Sequence, residues 1–274
     1  MGPDSLFAAI GAAPSFLFFL IWLIAGSGVY LALIARINAR TAASAEAPSR
    51  TFGLPEAILA AVLIGFLLLN INASFAHPAV QLNTRNLLAN LLLTVVVVLF
   101  IVTFLQLRGF DLRSLGGFFK MSFIRVVAAG AVLLFFAYPL IGLTETISQR
   151  LFGTGSSKQG IVELFSASPT LRQRIMIIVF AVAIAPVVEE FLFRFFLYGV
   201  FKRYFGRSIG TVANALLFAA AHTHLPSFAA LFVLGSCFTL AYEWSRSILV
   251  AMTMHSLFNA ITLIVLAFPE MVPQ

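Results

Sequence analysis

Residues 87–107 read LLANLLLTVVVVLFIVTFLQL, without a single formal charge. A helix needs about 20 apolar residues to cross the ~30 Å hydrocarbon core of a bilayer. With that length as a ruler, the chain divides into eight apolar runs, at 6–34, 54–75, 87–107, 123–143, 175–200, 209–225, 228–242 and 248–268. The expected fold is therefore all-α, a polytopic membrane bundle of about eight transmembrane helices. The sixth and seventh runs are short and separated by little beyond His224 and Pro226, which predicts a tight helical hairpin.

Composition points the same way. Hydrophobic residues make up 61% of the 274, and charged residues only 10%, against roughly 25% in an average soluble domain. The mean hydropathy is +1.03. So few charges cannot cover a globule of this size, and lipid must solvate much of it. The first apolar run is too long for a signal-peptide core, and it is preceded by Asp4 with no Lys or Arg before Arg36, so it reads as a retained transmembrane helix. The single cysteine, Cys237, lies in an apolar run and excludes an intrachain disulfide or a cysteine-based metal site.

The net charge of +7 does not mark a nucleic-acid partner, because the basic residues are scattered in short segments between apolar runs and no nucleic-acid motif accompanies them. They follow the positive-inside rule instead. Arg36, Arg40, Arg50, Arg108, Arg113, Lys120, Arg125, Lys202, Arg203, Arg207 and Arg246 fall after odd-numbered spans. Arg85, Arg150, Lys158, Arg172 and Arg174 fall on the other side. This bias predicts both termini outside. Segment 36–53, rich in Ala, Ser and Arg, reads as a flexible cytoplasmic linker. Segment 144–174 reads as a long loop turning near Gly153, Gly155, Ser156 and Ser157, with an interfacial helix over 161–168.

Ionisable residues inside a span cost a few kcal/mol each and mark function by default. The first four spans hold almost none; Asn70 and Asn72 suit interhelical hydrogen bonding. The anomalies gather in the C-terminal half. Pro186-Val-Val-Glu-Glu-Phe-Leu-Phe-Arg194 places Glu190 and Arg194 one helical turn apart, so they can pair. Glu189, rotated by about 100° on the helix, is left without a local partner and suits a general base. An ion network in which both glutamates serve Arg194 is the competing structural role. Phe218-Ala-Ala-Ala-His222 sets an aromatic ring beside an imidazole, with Asn214 near the same stripe. His255-Ser-Leu-Phe-Asn259 projects two polar groups from one face, fit to stabilise an oxyanion or to join helices. Packing groups would be spread over all eight helices; a base, a second base or donor and an anion-stabilising pair concentrated in one half form a catalytic set.

Taken in this order and spacing, Glu189-Glu190-xxx-Arg194, Phe218-xxx-His222 and His255-xxx-Asn259 resemble the motifs of the CPBP family, the CAAX protease and bacteriocin-processing intramembrane endopeptidases, and specifically a prokaryotic member. The resemblance covers about residues 175–265. It implies that Glu189 and His222 hold and deprotonate an attacking water, that His255 and Asn259 form the oxyanion hole, and that Glu190, Arg194 and Phe218 support the site. It divides the chain into an N-terminal helix with its linker (1–53), helices two to four with a long loop (54–174), and a catalytic core (175–274). The implied substrate is a membrane-associated peptide or protein, of which a prenylated CAAX tail is one type. The implied location is the lipid of a prokaryotic inner membrane.

No cofactor is expected. Zinc on Glu189, His222 and His255 is the alternative, since a catalytic zinc takes three protein ligands and a water, but the HExxH spacing of common zinc proteases is absent. Two further function classes are compatible with intramembrane Glu and His. A proton-coupled transporter would use them as a relay but would more often show internal repeats, and the chain shows none. A peptide-binding immunity or scaffold protein of the same fold would keep the pocket without turning over.

Overall fold

The structure is a computed structural model that describes residues 3–43, 51–76, 84–152, 165, 168 and 170–268. Its elements are α1 (Pro3–Ala43), α2 (Leu54–Ala76), α3 (Thr84–Leu107), α4 (Leu112–Gly116), α5 (Phe123–Phe152), α6 (Leu171–Val179), α7 (Ala185–Glu190), α8 (Tyr198–Ala221), α9 (Phe228–Ser245) and α10 (Ile248–Ala267). Two π-helical segments, Phe180–Ile184 and Phe191–Leu197, join α6 to α7 and α7 to α8. The described residues contain no strand, and the protein is an all-α membrane bundle.

Seven continuous helices among the described residues are long and apolar enough to span a membrane. One of them, Leu171–Ala221, has 51 residues. At 1.5 Å per residue a straight helix of that length would run roughly 76 Å, more than twice the hydrocarbon core. It reverses at Gly206, whose φ of 78° and ψ of 173° lie in a region that essentially only glycine occupies. Beyond the reversal the chain packs back on itself, so that the Phe218 ring meets Phe193 at 5.3 Å and Arg194 at 4.2 Å. The helix thus supplies two crossing segments, so the described residues hold eight, in line with the about eight expected.

Several expected boundaries shift. The first helix continues through Arg36 and Arg40 to Ala43, so 36–43 is not linker. Phe52, near its far end, is inserted between Phe110, Phe195 and Phe196, and 44–50 lie outside the described residues. Helix α5 runs past residue 143 to Phe152, which shortens the expected loop; 153–164 are not described, and of the expected interfacial helix over 161–168 only Phe165 and Ser168 are, both buried. The sixth span stops at Ala221 rather than 225, with His222 as its C-terminal cap. Asn70 donates to Phe66 O of its own helix and is exposed, as is Asn72, so neither bridges helices.

The core lies between α5, α8, α9 and α10, where Phe196, Leu197, Phe218, Leu234, Phe238 and Val250 are fully buried. Helix α1 packs on α5 and α9, tied by a hydrogen bond from Tyr30 Oη to Leu133 O at 2.9 Å. Outward-facing Phe16, Leu69, Phe123 and Ile124 are largely exposed, as a lipid-solvated surface requires. Of the basic residues assigned to one side, Arg40 and Arg246 lie at the ends of α1 and α9, and Lys202 and Arg207 lie on either side of the reversal at Gly206 in α8. Lys202 and Arg207 pair with Glu243, Arg207 donates to Asn38 Oδ1, and Arg40 donates to Trp244 O. Gly117 lies against the backbone of Arg246.

Candidate active site

The site is built around α7, six residues long and bounded on both sides by π turns. π segments inside longer helices are frequent at functional sites, because they redirect the side chains that follow. Pro186 opens α7 and carries no N–H to continue the preceding ladder. Glu189 and Glu190 close it. Glu190 and Arg194 are both 0% exposed, whereas the Glu189 side chain is 30% exposed. The two adjacent glutamates therefore face different surroundings, one sealed and one partly exposed with its Oε2 still buried.

Glu190 Oε1 accepts from Arg194 Nη1 at 2.9 Å and lies 2.8 Å from His255 Nδ1. The first contact is the expected i,i+4 pair. The second joins α7 to α10 and has no local sequence signal. Arg194 Nη2 also donates to Gly235 O at 3.2 Å, and its guanidinium lies 4.2 Å from the Phe218 ring centroid and 5.1 Å from that of Phe238. Desolvating a charge is costly unless it is paired and hydrogen-bonded; here the arginine is met by a carboxylate, a carbonyl and two aromatic faces. Gly235 makes room for this. A Cβ there would stand 3.3 Å from Arg194 Nη2 and 3.0 Å from Phe218 Cδ1. Thr239 Oγ1 donates to the same Gly235 carbonyl at 2.9 Å, and buried Asn214 reaches Thr239 Oγ1 at 3.4 Å. Gly235, Phe238 and Thr239 thus form a wall on α9 that composition and charge did not reveal, since none of the three is ionisable.

His255 stacks on Phe238, with centroids 5.1 Å apart and planes at 27°. Its Nε2 points to Glu189 Oε2 at 4.0 Å. His222 reaches the same oxygen from the other side, Nε2 to Glu189 Oε2 also 4.0 Å. The expected ring neighbour of His222 is present, with Phe218 at 4.7 Å. The early end of α8 explains how the imidazole is held. The backbone N–H of His222 turns to Ala219 O, and its Nδ1 meets Phe218 O at 2.8 Å. A carbonyl only accepts, so Nδ1 carries the proton of that bond. In the neutral ring Nε2 is then a bare lone pair facing Glu189.

Asn259, one turn after His255, donates from Nδ2 to Ala181 O at 2.8 Å. The His255–Asn259 pair thus faces the glutamate-bearing helix at two levels, one end on Glu190 and the other on Ala181. His224 is not among these groups; its Nδ1 caps the short turn Leu225–Ser227 by accepting from Ser227 N. Glu189, His222 and His255 come together as the zinc alternative would require. However, a tetrahedral zinc with bonds of about 2.0–2.1 Å holds neighbouring ligand atoms roughly 3.4 Å apart, and the spacings here are 4.0 Å. Among the described residues no group of three His, Cys, Asp or Glu side chains is arranged to hold a metal ion.

Comparison with known proteins finds likeness over the same helices. Residues 171–261, which span α6 to α10, match the family described as type II CAAX prenyl endopeptidase, Rce1-like. The chain is also 32% identical over 101 residues to the membrane-embedded CAAX protease MroQ of Staphylococcus aureus (strain USA300). That alignment covers 34% of this chain and 41% of the relative, so the chain spans less than half of the curated relative it matches. No solved structure matches the chain.

Proposed function

We propose that this membrane protein, a member of the CPBP family, is an intramembrane endopeptidase that hydrolyses a peptide bond by a water activated between Glu189 and His222. The observation that carries the reading is that two imidazole Nε2 atoms lie 4.0 Å from one carboxylate oxygen, Glu189 Oε2, which is buried and has no hydrogen-bond partner among the described residues, on a side chain that is itself partly exposed. A separation of 4.0 Å is too long for a direct hydrogen bond, but it admits a water with both atoms at about 2.8 Å. Glu189 takes one proton as the water oxygen attacks the scissile carbonyl, and His222 Nε2 orients the water by accepting its second hydrogen.

The developing oxyanion needs donors that do not have to reorganise. Glu190 is acceptor-only when ionised, so the 2.8 Å contact puts the Nδ1 proton of His255 on that side. An N–H at His255 Nε2 therefore belongs to the imidazolium form, and Glu190 is the counter-charge that supports it. Asn259 supplies the second donor, because its amide has another N–H beside the one given to Ala181. Collapse of the tetrahedral intermediate returns the proton from Glu189 to the departing amine.

The substrate class in this reading is a membrane-associated peptide or protein, with a prenylated CAAX-type tail the first to try, and the membrane is a prokaryotic inner membrane. The mechanism is glutamate-dependent and metal-free. The test is to purify the full chain and offer internally quenched farnesylated and transmembrane-anchored peptides to wild type, Glu189→Ala and His222→Ala. Wild-type cleavage should fall by at least 100-fold in each variant, in line with loss of a general base, and should survive chelator treatment with no stoichiometric metal found. Cleavage that persists in both variants, or that disappears with a removable metal, would overturn the mechanism.

A further inference from the structure

Asn259 has an acceptor that an unbroken helix would not offer. Within the π segment Phe180–Ile184 the backbone N–H of Ala185 bonds five residues back, to Phe180 O. The next N–H in that register would come from residue 186 and reach Ala181 O. Residue 186 is proline, so this donor does not exist. Ala181 is buried among Phe165, Ile177 and Leu263, where its carbonyl cannot turn to solvent. Buried backbone carbonyls seldom go unpaired, and Asn259 Nδ2 fills the gap at 2.8 Å from α10.

We propose that Pro186 is a positioning residue for the hydrolysis: by withholding an N–H it reserves the Ala181 carbonyl for Asn259, and so fixes the orientation of the oxyanion-side amide. Only the NH2 group of that amide can face a carbonyl, which settles which way it points. One N–H is spent on Ala181 and the other is held ready. The same bond acts as a strut. Helix α10 is joined to the glutamate-bearing helix at His255–Glu190 and again at Asn259–Ala181. Two points one turn apart on α10 prevent it from rolling about its axis relative to Glu189. The role rests on the proteolytic reading above, but the bond and its cause do not.

The test is a double-mutant cycle on the full-length protein in nanodiscs, with Pro186→Ala, Asn259→Ala and the double variant. Each is read twice: by kcat and KM on the quenched peptide that wild type cleaves, and by the midpoint of SDS-induced unfolding. Asn259→Ala should lower kcat by about 100-fold or more with KM nearly unchanged, as loss of an oxyanion donor does. Pro186→Ala supplies the missing N–H, competes for Ala181 O, and should lower kcat by about tenfold with KM unchanged. The double variant should be no slower than Asn259→Ala alone. In unfolding, the midpoint loss caused by Asn259→Ala should at least halve in the Pro186→Ala background, since the new N–H satisfies the orphaned carbonyl. Additive losses in both readouts would overturn the inference, as would a Pro186→Ala protein within twofold of wild-type kcat with an unreduced Asn259 effect on unfolding. If wild type cleaves none of the peptides, the proteolytic reading fails and the unfolding cycle alone decides the Pro186–Asn259 link. Should Pro186→Ala fail to accumulate in membranes, Pro186→Gly carries the same N–H and the same expectations.

Discussion

Replacing Arg194 by methionine keeps most of the side-chain length and removes the charge. In the native protein its guanidinium donates to Glu190 Oε1 at 2.9 Å and to Gly235 O at 3.2 Å, between two phenylalanine rings. Removing one member of a fully buried pair costs about 3–5 kcal/mol, because the remaining charge is left uncompensated. The structure places Arg194→Met inside that range at about 4 kcal/mol. His255 Nδ1 still holds Glu190 Oε1, which limits the loss, whereas Glu190 Oε2 has no hydrogen-bond partner among the described residues and nothing else can replace the guanidinium. The cation–π contacts add roughly 1 kcal/mol of the total. Reversible SDS-induced unfolding in mixed micelles measures the change. The decisive comparison is the double variant Glu190→Gln/Arg194→Met, which removes both members of the buried ion pair. It should recover at least half of the lost stability while peptide cleavage stays absent, because His255 has lost its carboxylate. If the double variant is no more stable than Arg194→Met, the uncompensated Glu190 is not the source of the loss and the electrostatic account of this cluster is wrong.

Other outcomes follow from the same geometry. Gly235→Ala inserts a methyl against Arg194 and Phe218 and should destabilise by about 1–3 kcal/mol, the usual cost of overpacking, with a parallel fall in kcat. Gly206→Ala forces a Cβ into the backbone conformation that reverses the chain and should cost about 1–3 kcal/mol in the same unfolding assay. Gly28→Ala, where a Cβ meets open space in α1, should be neutral or stabilising, and an equal loss at both glycines would refute the role given to Gly206. Phe238→Leu removes the ring shared by His255 and Arg194; a tenfold drop in kcat, worth about 1.4 kcal/mol of barrier, is expected with substrate KM retained.

Much of the architecture was legible because lipid makes a simple demand, about 20 apolar residues per crossing, and the chain meets it repeatedly. The Glu190–Arg194 and Phe218–His222 pairs were legible because i,i+4 neighbours meet on any helix. The break between spans five and six was also visible, as the basic stretch from Lys202 to Arg207 with Gly206 inside it. What the sequence could not reveal is tertiary. The contact of Glu190 with His255 joins residues 65 apart, and the wall of Gly235, Phe238 and Thr239 sits in a span whose residues look like ordinary apolar filling. The end of α8 at Ala221 was obscured because His222, Thr223 and His224 are followed at once by Leu225 and a further apolar run, although His222 with its side chain on Phe218 O terminates the helix. Pro186 was the one local sign of the π turn, and its meaning depended on Asn259 arriving from another helix.

The two π segments have a consequence for how this protein can vary. Each residue of an α-helix advances the facing by about 100°, and a π turn spends an additional residue before the next turn begins. Because such turns flank Ala185–Glu190 on both sides, the phase of the two carboxylates is set apart from that of the helices above and below. Deleting one residue from either π segment would scarcely alter the hydropathy profile or the length of the span. It would nevertheless rephase everything beyond it, and turn Glu189 and Glu190 away from the histidines or Arg194 away from Glu190. Membrane insertion and chemistry are thus written in different features of the same helix, one in its composition and the other in its count.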